Sequence, residues 1–155
     1  MFLYYIFAAV IIGIDQWTKY LTVTHIPLHD VVEVVPGVLS WMYLQNSGAA
    51  WSILEGQMWF FYLITLVVVG VIIYYLQKYG KNSRLLSIAL AFILAGAVGN
   101  FIDRLRIEYV VDMIRLEFID FPIFNVADMS LSIGVALMLL YVVLDETDKK
   151  RKSQQ

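Results

Sequence analysis

Four long apolar runs fall within 155 residues, and they leave almost no fold open except a bundle of membrane helices. Crossing the hydrocarbon core takes roughly twenty apolar residues in a helix. The runs lie at about 2–21, 58–77, 85–102 and 128–144. Hydrophobic residues make up 61% of the chain and charged residues 15%, whereas a soluble domain is nearer half apolar and a quarter charged. So small a body cannot hide that much apolar surface from water, so most of it must face lipid. The expected fold class is an all-α membrane protein with a small β element, residues 1–155 forming a single integral membrane domain.

The first run lacks a basic leader and an A-x-A-like cleavage site, so it is expected to be a retained helix. Lys78, Lys81 and Arg84 join the second and third runs, and Lys149-Lys150-Arg151-Lys152 follows the fourth. The connection from Thr22 to Gln57 holds no Lys or Arg. Basic residues favour the cytoplasmic side, which places both termini and the middle loop in the cytoplasm. The outer loops are then 22–57 and 103–127, with 145–155 a charged cytoplasmic tail expected to be disordered. Arg104, Arg106 and Arg115 in the second outer loop run against this rule, which suggests local roles. A net charge of −2 gives no argument for nucleic acid. The absence of cysteine excludes disulfides and thiolate chemistry, and Pro27 breaks any helix shared by His25 and His29, so no metal site is expected.

Asp30–Tyr43 is rich in β-branched and aromatic residues around Pro36-Gly37, a hairpin signal. With Trp17, Trp41, Trp51 and Trp59 near segment ends, it is expected at the headgroup level. Polar residues cluster at the outer ends of the runs. Asp15 and Lys19, four apart, share a helix face and can neutralise one another, which is favoured over contact between Lys19 and a substrate. Asn46-Ser47-Gly48-Ala49-Ala50-Trp51 reads either as a turn or as a place where another backbone comes close. Asn100, Asp103 and Arg104 follow the small residues Gly96, Ala97 and Gly99, which permit tight helix contact. Asp103 is expected in a buried ion pair with Arg104 or Lys19.

Asp112 and Asp128 remain, neither with an obvious cation nearby in sequence. Asp112 belongs to a short strand or to an amphipathic helix at the surface. Asp128 either caps the helix it begins or meets Asp112. Two adjacent carboxyls share a proton, one taking a proton from water while the other hydrogen-bonds to the carbonyl under attack. Rival classes are a small transporter that uses the same acids as ion ligands and a lipid- or partner-binding scaffold. The first predicts charges at the bilayer midplane, whereas nearly all of these lie at segment ends.

Five ordered blocks carry a resemblance over nearly the whole chain: Asp15-Gln-x-x-Lys19; Asn46-x-Gly48-Ala49-Ala50; Gly96-Ala97-x-Gly99-Asn100-x-Ile-Asp103-Arg104; Val110-Val111-Asp112; and Phe121-Pro122-x-Phe124-Asn125-x-Ala127-Asp128. The chain resembles the type II (lipoprotein) signal peptidases of bacteria. The resemblance implies an aspartic endopeptidase of the bacterial cytoplasmic membrane that removes the signal peptide from diacylglyceryl-modified prolipoproteins at the lipobox cysteine. It needs no metal or cofactor, and its partners are the lipid-modified substrates and membrane lipids. It is expected as a monomer with its active site near the outer face. Asp112 and Asp128 match the catalytic pair; Asn46, Gly48, Asn100, Asp103, Arg104, Asn125 and Ala127 match the site lining, and Asp15 and Lys19 its support. An extracytoplasmic β-rich cradle and a short surface helix are implied as well. Gln45 stands where a basic residue is expected, and Met129 where serine is common.

Overall fold

The computed structural model describes residues 1–48 and 53–153. Four helices are long and apolar enough to cross a membrane: α1 (Phe2–His25), α2 (Met58–Tyr79), α3 (Arg84–Ile107) and α4 (Val126–Ser153, apolar through Thr147). Strands β1 (Val31–Val35), β2 (Leu39–Asn46) and β3 (Val110–Leu116) form one antiparallel sheet in that order. Among the described residues no helix lies outside these four, and Ala49, Ala50 and Trp51 of the second sequence block lie outside the described residues.

Each helix starts close to its apolar run, but the ends differ from the run ends for local reasons. α1 continues to His25 and stops where Ile26 turns extended, as the residue before Pro27 must. α3 runs five residues beyond its apolar run and closes on Glu108, a left-handed residue (φ 64°) whose N–H returns to the Arg104 carbonyl. Asp103 and Arg104 therefore sit on a helix rather than in a loop. α4 continues through the charged tail expected to be disordered, with Lys149 paired to Asp145, one turn earlier, at 2.7 Å.

α3 is the central helix. Six-tenths of its spanning window is buried, against about a fifth for each of the others, and it touches α1, α2 and α4. Its small residues permit that position: a Cβ on Gly96 would strike the Ala127 carbonyl, and Leu131. Gly134 answers from α4, where a Cβ would come within 2.6 Å of Ile93 and 2.8 Å of the Ala89 carbonyl. Leu76, Leu86, Leu90 and Leu94 fill the core at the opposite end from the sheet.

The hairpin forms where the sequence analysis places it. Val38 N–H reaches the Val35 carbonyl at 3.0 Å across Pro36-Gly37, and Gly37 takes φ 69°, a type II turn. Asp112 lies in a strand, not in a surface helix, and that strand is buried rather than superficial. Leu44 pairs with Asp112 and Asn46 with Val110, so β2 carries Asn46 to the same end of the sheet as Asp112. Trp41 Nε1 donates to Thr22 Oγ1 at 2.7 Å and ties the sheet to α1.

One buried polar knot fastens α1, α3, α4 and β3 together. Lys19 Nζ contacts Asp15 at 2.9 Å, Asp103 at 2.8 Å and Asn100 Oδ1 at 2.9 Å, so all three of its donors are matched. Asp15 accepts the Ala127 N–H (2.8 Å), one of the unpaired first-turn donors of α4. Asp103 accepts the Val111 N–H (3.2 Å) from β3. Gln16 Nε2 bridges Asp15, the Gly99 carbonyl and Asp103. The ion pair expected of Asp103 is thus with Lys19, not Arg104.

Two outcomes follow for stability in one detergent, read by thermal unfolding. Gly134→Ala is expected to cost about 1–3 kcal/mol by overpacking, while Gly70→Ala, with nothing within 4 Å, is neutral or slightly stabilising. Lys19→Met leaves two buried carboxylates without their cation and costs about 3–5 kcal/mol.

Candidate active site

At the sheet end of the bundle a cavity of about 580 Å³ opens between β3, α3, the start of α4 and the segment before it. Its polar wall includes Asn46, Gly48, Asn100, Arg104, Asp112 and Asp128; Phe121–Phe124, Met129, Leu131 and Ile133 supply most of the apolar remainder. Six residues that are scattered over more than eighty positions of sequence thus meet at one hollow. Asn125, Asp103 and Ala127, expected in the lining, stand one layer behind it, together with Asp15 and Lys19.

Asp128 and its neighbour explain each other. Asn125 is the N-cap of α4: its Oδ1 accepts the Asp128 N–H at 2.9 Å, while Asp128 Oδ2 accepts the Asn125 N–H at 3.2 Å. This is a capping box with Asp at the third position. Asp128 is therefore not the cap itself, and its other oxygen remains available to Asn100 Nδ2 at 2.7 Å. Capping and exposure to the cavity coexist in one carboxylate.

Asp112 is 2% exposed and accepts from two amides, Asn46 Nδ2 at 2.9 Å and Asn125 Nδ2 at 2.7 Å. Asn125 thus touches both carboxylates, one through its side chain and the other through its backbone. Burial, and then the charge of Asp128, push the Asp112 carboxyl up to about 7, against the two amide donors. A carboxyl with that affinity keeps its proton below about pH 7 and gives it up above.

The orientation of each asparagine is set by a partner that can only donate. Asn100 Oδ1 accepts from Lys19, Asn125 Oδ1 from the Asp128 N–H, and Asn46 Oδ1 from the Gly48 N–H at 2.9 Å. In every case the carbonyl end is taken, and the amide NH₂ turns to a carboxylate. Each carboxylate oxygen has two lone-pair directions, so one N–H on each leaves room for a shared proton and for water.

Arg104 closes the wall. It donates to the Gly48 carbonyl at 2.8 Å and stacks 4.3 Å over the Phe61 ring, while Tyr62 holds its backbone carbonyl at 2.9 Å. Its Nε is buried with no partner among the described residues. Gln45 turns away to Tyr43, and Met129 lines the cavity beside Asp128. Sequence reasoning gave no role to Gln16, Phe61 or Tyr62. Gln16 lies next to Asp15 and one turn from Lys19, a signal that was readable; the other two are ordinary lipid-segment aromatics until α2 meets α3.

The family model described as signal peptidase (SPase) II matches residues 7–144. A lipoprotein signal peptidase of Listeria monocytogenes is 56% identical over 151 residues, spanning 96% of this chain and 97% of the relative. One from Enterococcus faecalis is 54% identical over 147 residues, spanning 95% and 91%. A solved structure described as a bacterial membrane enzyme is 38% identical, superposes with a TM-score of 0.92, and covers 96% of this chain and 92% of its own. On a match this long, and with relatives this similar end to end, the chain belongs to the signal peptidase II family, the multi-pass membrane proteases of lipoprotein processing.

Proposed function

We propose that this chain is an aspartic endopeptidase that cuts the signal peptide from diacylglyceryl-modified prolipoproteins immediately before the lipobox cysteine. One observation carries the reading: two carboxylates at one cavity, linked through Asn125, with the proton affinity of Asp112 raised into the neutral range. Asp128 accepts two N–H donors at the positive end of the α4 dipole, and it serves as the carboxylate of the pair. Asp112 serves as the acid.

A water between them loses a proton to Asp128 as its oxygen attacks the scissile carbonyl, while Asp112 donates a hydrogen bond to the carbonyl oxygen. Asp128 then passes the proton to the leaving nitrogen of the cysteine, the C–N bond breaks, and the pair returns to sharing one proton. Arg104, with Nε unpartnered, offers a further donor to the substrate backbone. Asn46, Gly48 and Asn100 shape the wall; Asn125, Asp103, Ala127, Asp15 and Lys19 hold it in place.

The setting fits a substrate that is already anchored. Two acyl chains and an apolar signal helix hold it in the bilayer, so the enzyme meets it by diffusion in two dimensions. The whole chain acts as one membrane unit, a monomer in contact with lipid, in a bacterial cytoplasmic membrane. Both termini lie in the cytoplasm and the sheet at the outer face, an orientation that the basic residues of the α2–α3 loop and the tail favour.

Purified protein given a diacylated prolipoprotein is expected to release the free signal peptide, and Asp112→Asn or Asp128→Asn to slow this by at least about a hundredfold without lowering thermal stability. Full cleavage by both variants would refute the dyad. The pH profile carries a second test. Asp112 must be protonated to act, so kcat/KM is expected to fall as pH rises through about 7. The Asn46 amide favours the charged form of Asp112, so Asn46→Ala moves that falling limb to higher pH. The shift is about one pH unit, the worth of a charge-assisted hydrogen bond. A limb that stayed in place would show that Asp112 is not the titrating acid.

A further inference from the structure

A second hollow adjoins the first and is not used by the chemistry above. Arg115–Ile123 line an open hollow of about 560 Å³, and Phe121, Pro122 and Ile123 form a wall common to both cavities. Their characters differ. The first holds its charged groups, Arg104, Asp112 and Asp128, together with the amides of Asn46 and Asn100, whereas the second carries Arg115, Glu117 and Asp120 on one continuous segment. Arg115 and Glu117 answer one another at 3.5 Å. Asp120 is exposed and, among the described residues, has no hydrogen bond or ion pair.

Position gives the hollow its meaning. β3 meets the helices at Val110–Asp112 and runs outward to Leu116, which pairs with Leu39 beside the hairpin turn, and Glu117 N–H reaches the Val38 carbonyl. Four residues at about 3.3 Å each lead from Asp112 to Leu116, so the part of the hollow at Leu116 lies roughly 13 Å along the strand from Asp112. A substrate cut at the carboxylates has two unlike halves. The apolar signal segment must stay at the level of the spanning helices. The chain after the cysteine must leave the lipid, and about four extended residues cover the distance to the second hollow.

We infer that this hollow receives the polar chain on the C-terminal side of the lipid-modified cysteine, and that Asp120 makes it favour a basic over an acidic residue near the fourth position after the cut. The inference rests on the peptidase reading above and adds a determinant of substrate choice to it. Arg115 and Glu117 neutralise one another, so the unpaired Asp120 sets the sign of the field. Exposed charge pairs are weak, so the preference is a tuning effect, not a gate.

The test uses full-length protein and two diacylated prolipoproteins that differ only in Lys or Glu at the fourth residue after the cysteine. A second pair carries the same change at the twelfth residue. The ratio of kcat/KM, Lys over Glu, is expected at about two- to fivefold for the fourth position in low salt, and near one for the twelfth. Asp120→Asn brings the first ratio close to one and Asp120→Lys inverts it, and high salt flattens the wild-type ratio. A wild-type ratio that Asp120→Asn leaves unchanged would overturn the assignment of Asp120 while the peptidase reading stood. Equal ratios at both positions would place the preference in the general field of the membrane and overturn the subsite. Failure of the wild type to cleave any of the four substrates would remove the peptidase reading and this inference together.

Discussion

The ammonium of Lys19 is the contact on which the site depends. It is 3% exposed and bound by two carboxylates and one amide carbonyl. Taking it out of water is costly, and its attraction to Asp15 and Asp103 repays that cost only when the geometry is good. What the arrangement secures is orientation. Asn100 can present only its carbonyl to a cation, so its NH₂ must point to Asp128. Asp15, held by the same ammonium, takes up the Ala127 N–H and fixes the first turn of α4, on which Asn125 and Asp128 cap one another. Asp103 takes up the Val111 N–H and fixes the strand next to Asp112. Both acidic groups at the cavity are thus positioned from one buried charge on α1.

Lipid makes such polar ties decisive. The outer faces of α2 and α4 are apolar and exposed, as Leu63, Leu66, Val67, Leu139 and Val143 illustrate. Burying these against another helix gains little when the alternative is a lipid tail. Close contact of small residues around Gly96, Gly99 and Gly134 supplies packing along α3 and α4, and the polar knot supplies register at one end. The two operate at different levels of the bundle, the leucine core away from the sheet and the ion pairs beneath it.

Much of this was legible in sequence, and the reasons are specific. The four spans are readable because length and apolar content alone define them. The hairpin is readable because Pro36-Gly37 has one favourable turn type. The ends of α3 and α4 were not, since Asp103, Arg104 and the tail are polar yet helical, and hydropathy does not distinguish a polar helix from a polar loop. β3 was ambiguous because seven residues with a single buried acid show neither period clearly. Asp103 had two cations within reach by spacing, and only the crossing of α1 and α3 decides for Lys19. Phe121–Phe124 stood out in sequence as part of a matching block, but nothing in their spacing told that they wall the cavity. The Asn125–Asp128 box was present as a local spacing, yet the spacing leaves open which of the two residues is the cap.

Why asparagines, rather than cations, surround the carboxylates is the remaining question, and charge accounts for it. A working pair must keep one proton. An ammonium or guanidinium in direct contact with Asp112 would favour its charged form strongly, and the proton would be lost near neutral pH. Neutral amides orient the same oxygens with a weaker bias. Lys19 stays one amide away from Asp128, with its charge met by two carboxylates, and its influence on Asp112 ranks behind burial, Asp128 and the two amides. Arg104 is held off in a similar way, its guanidinium stacked on Phe61 and bonded to the Gly48 carbonyl. The chain therefore uses full charges to build the frame and neutral dipoles to touch the acids, a division that lets a buried site be rigid without surrendering the proton it has to hold.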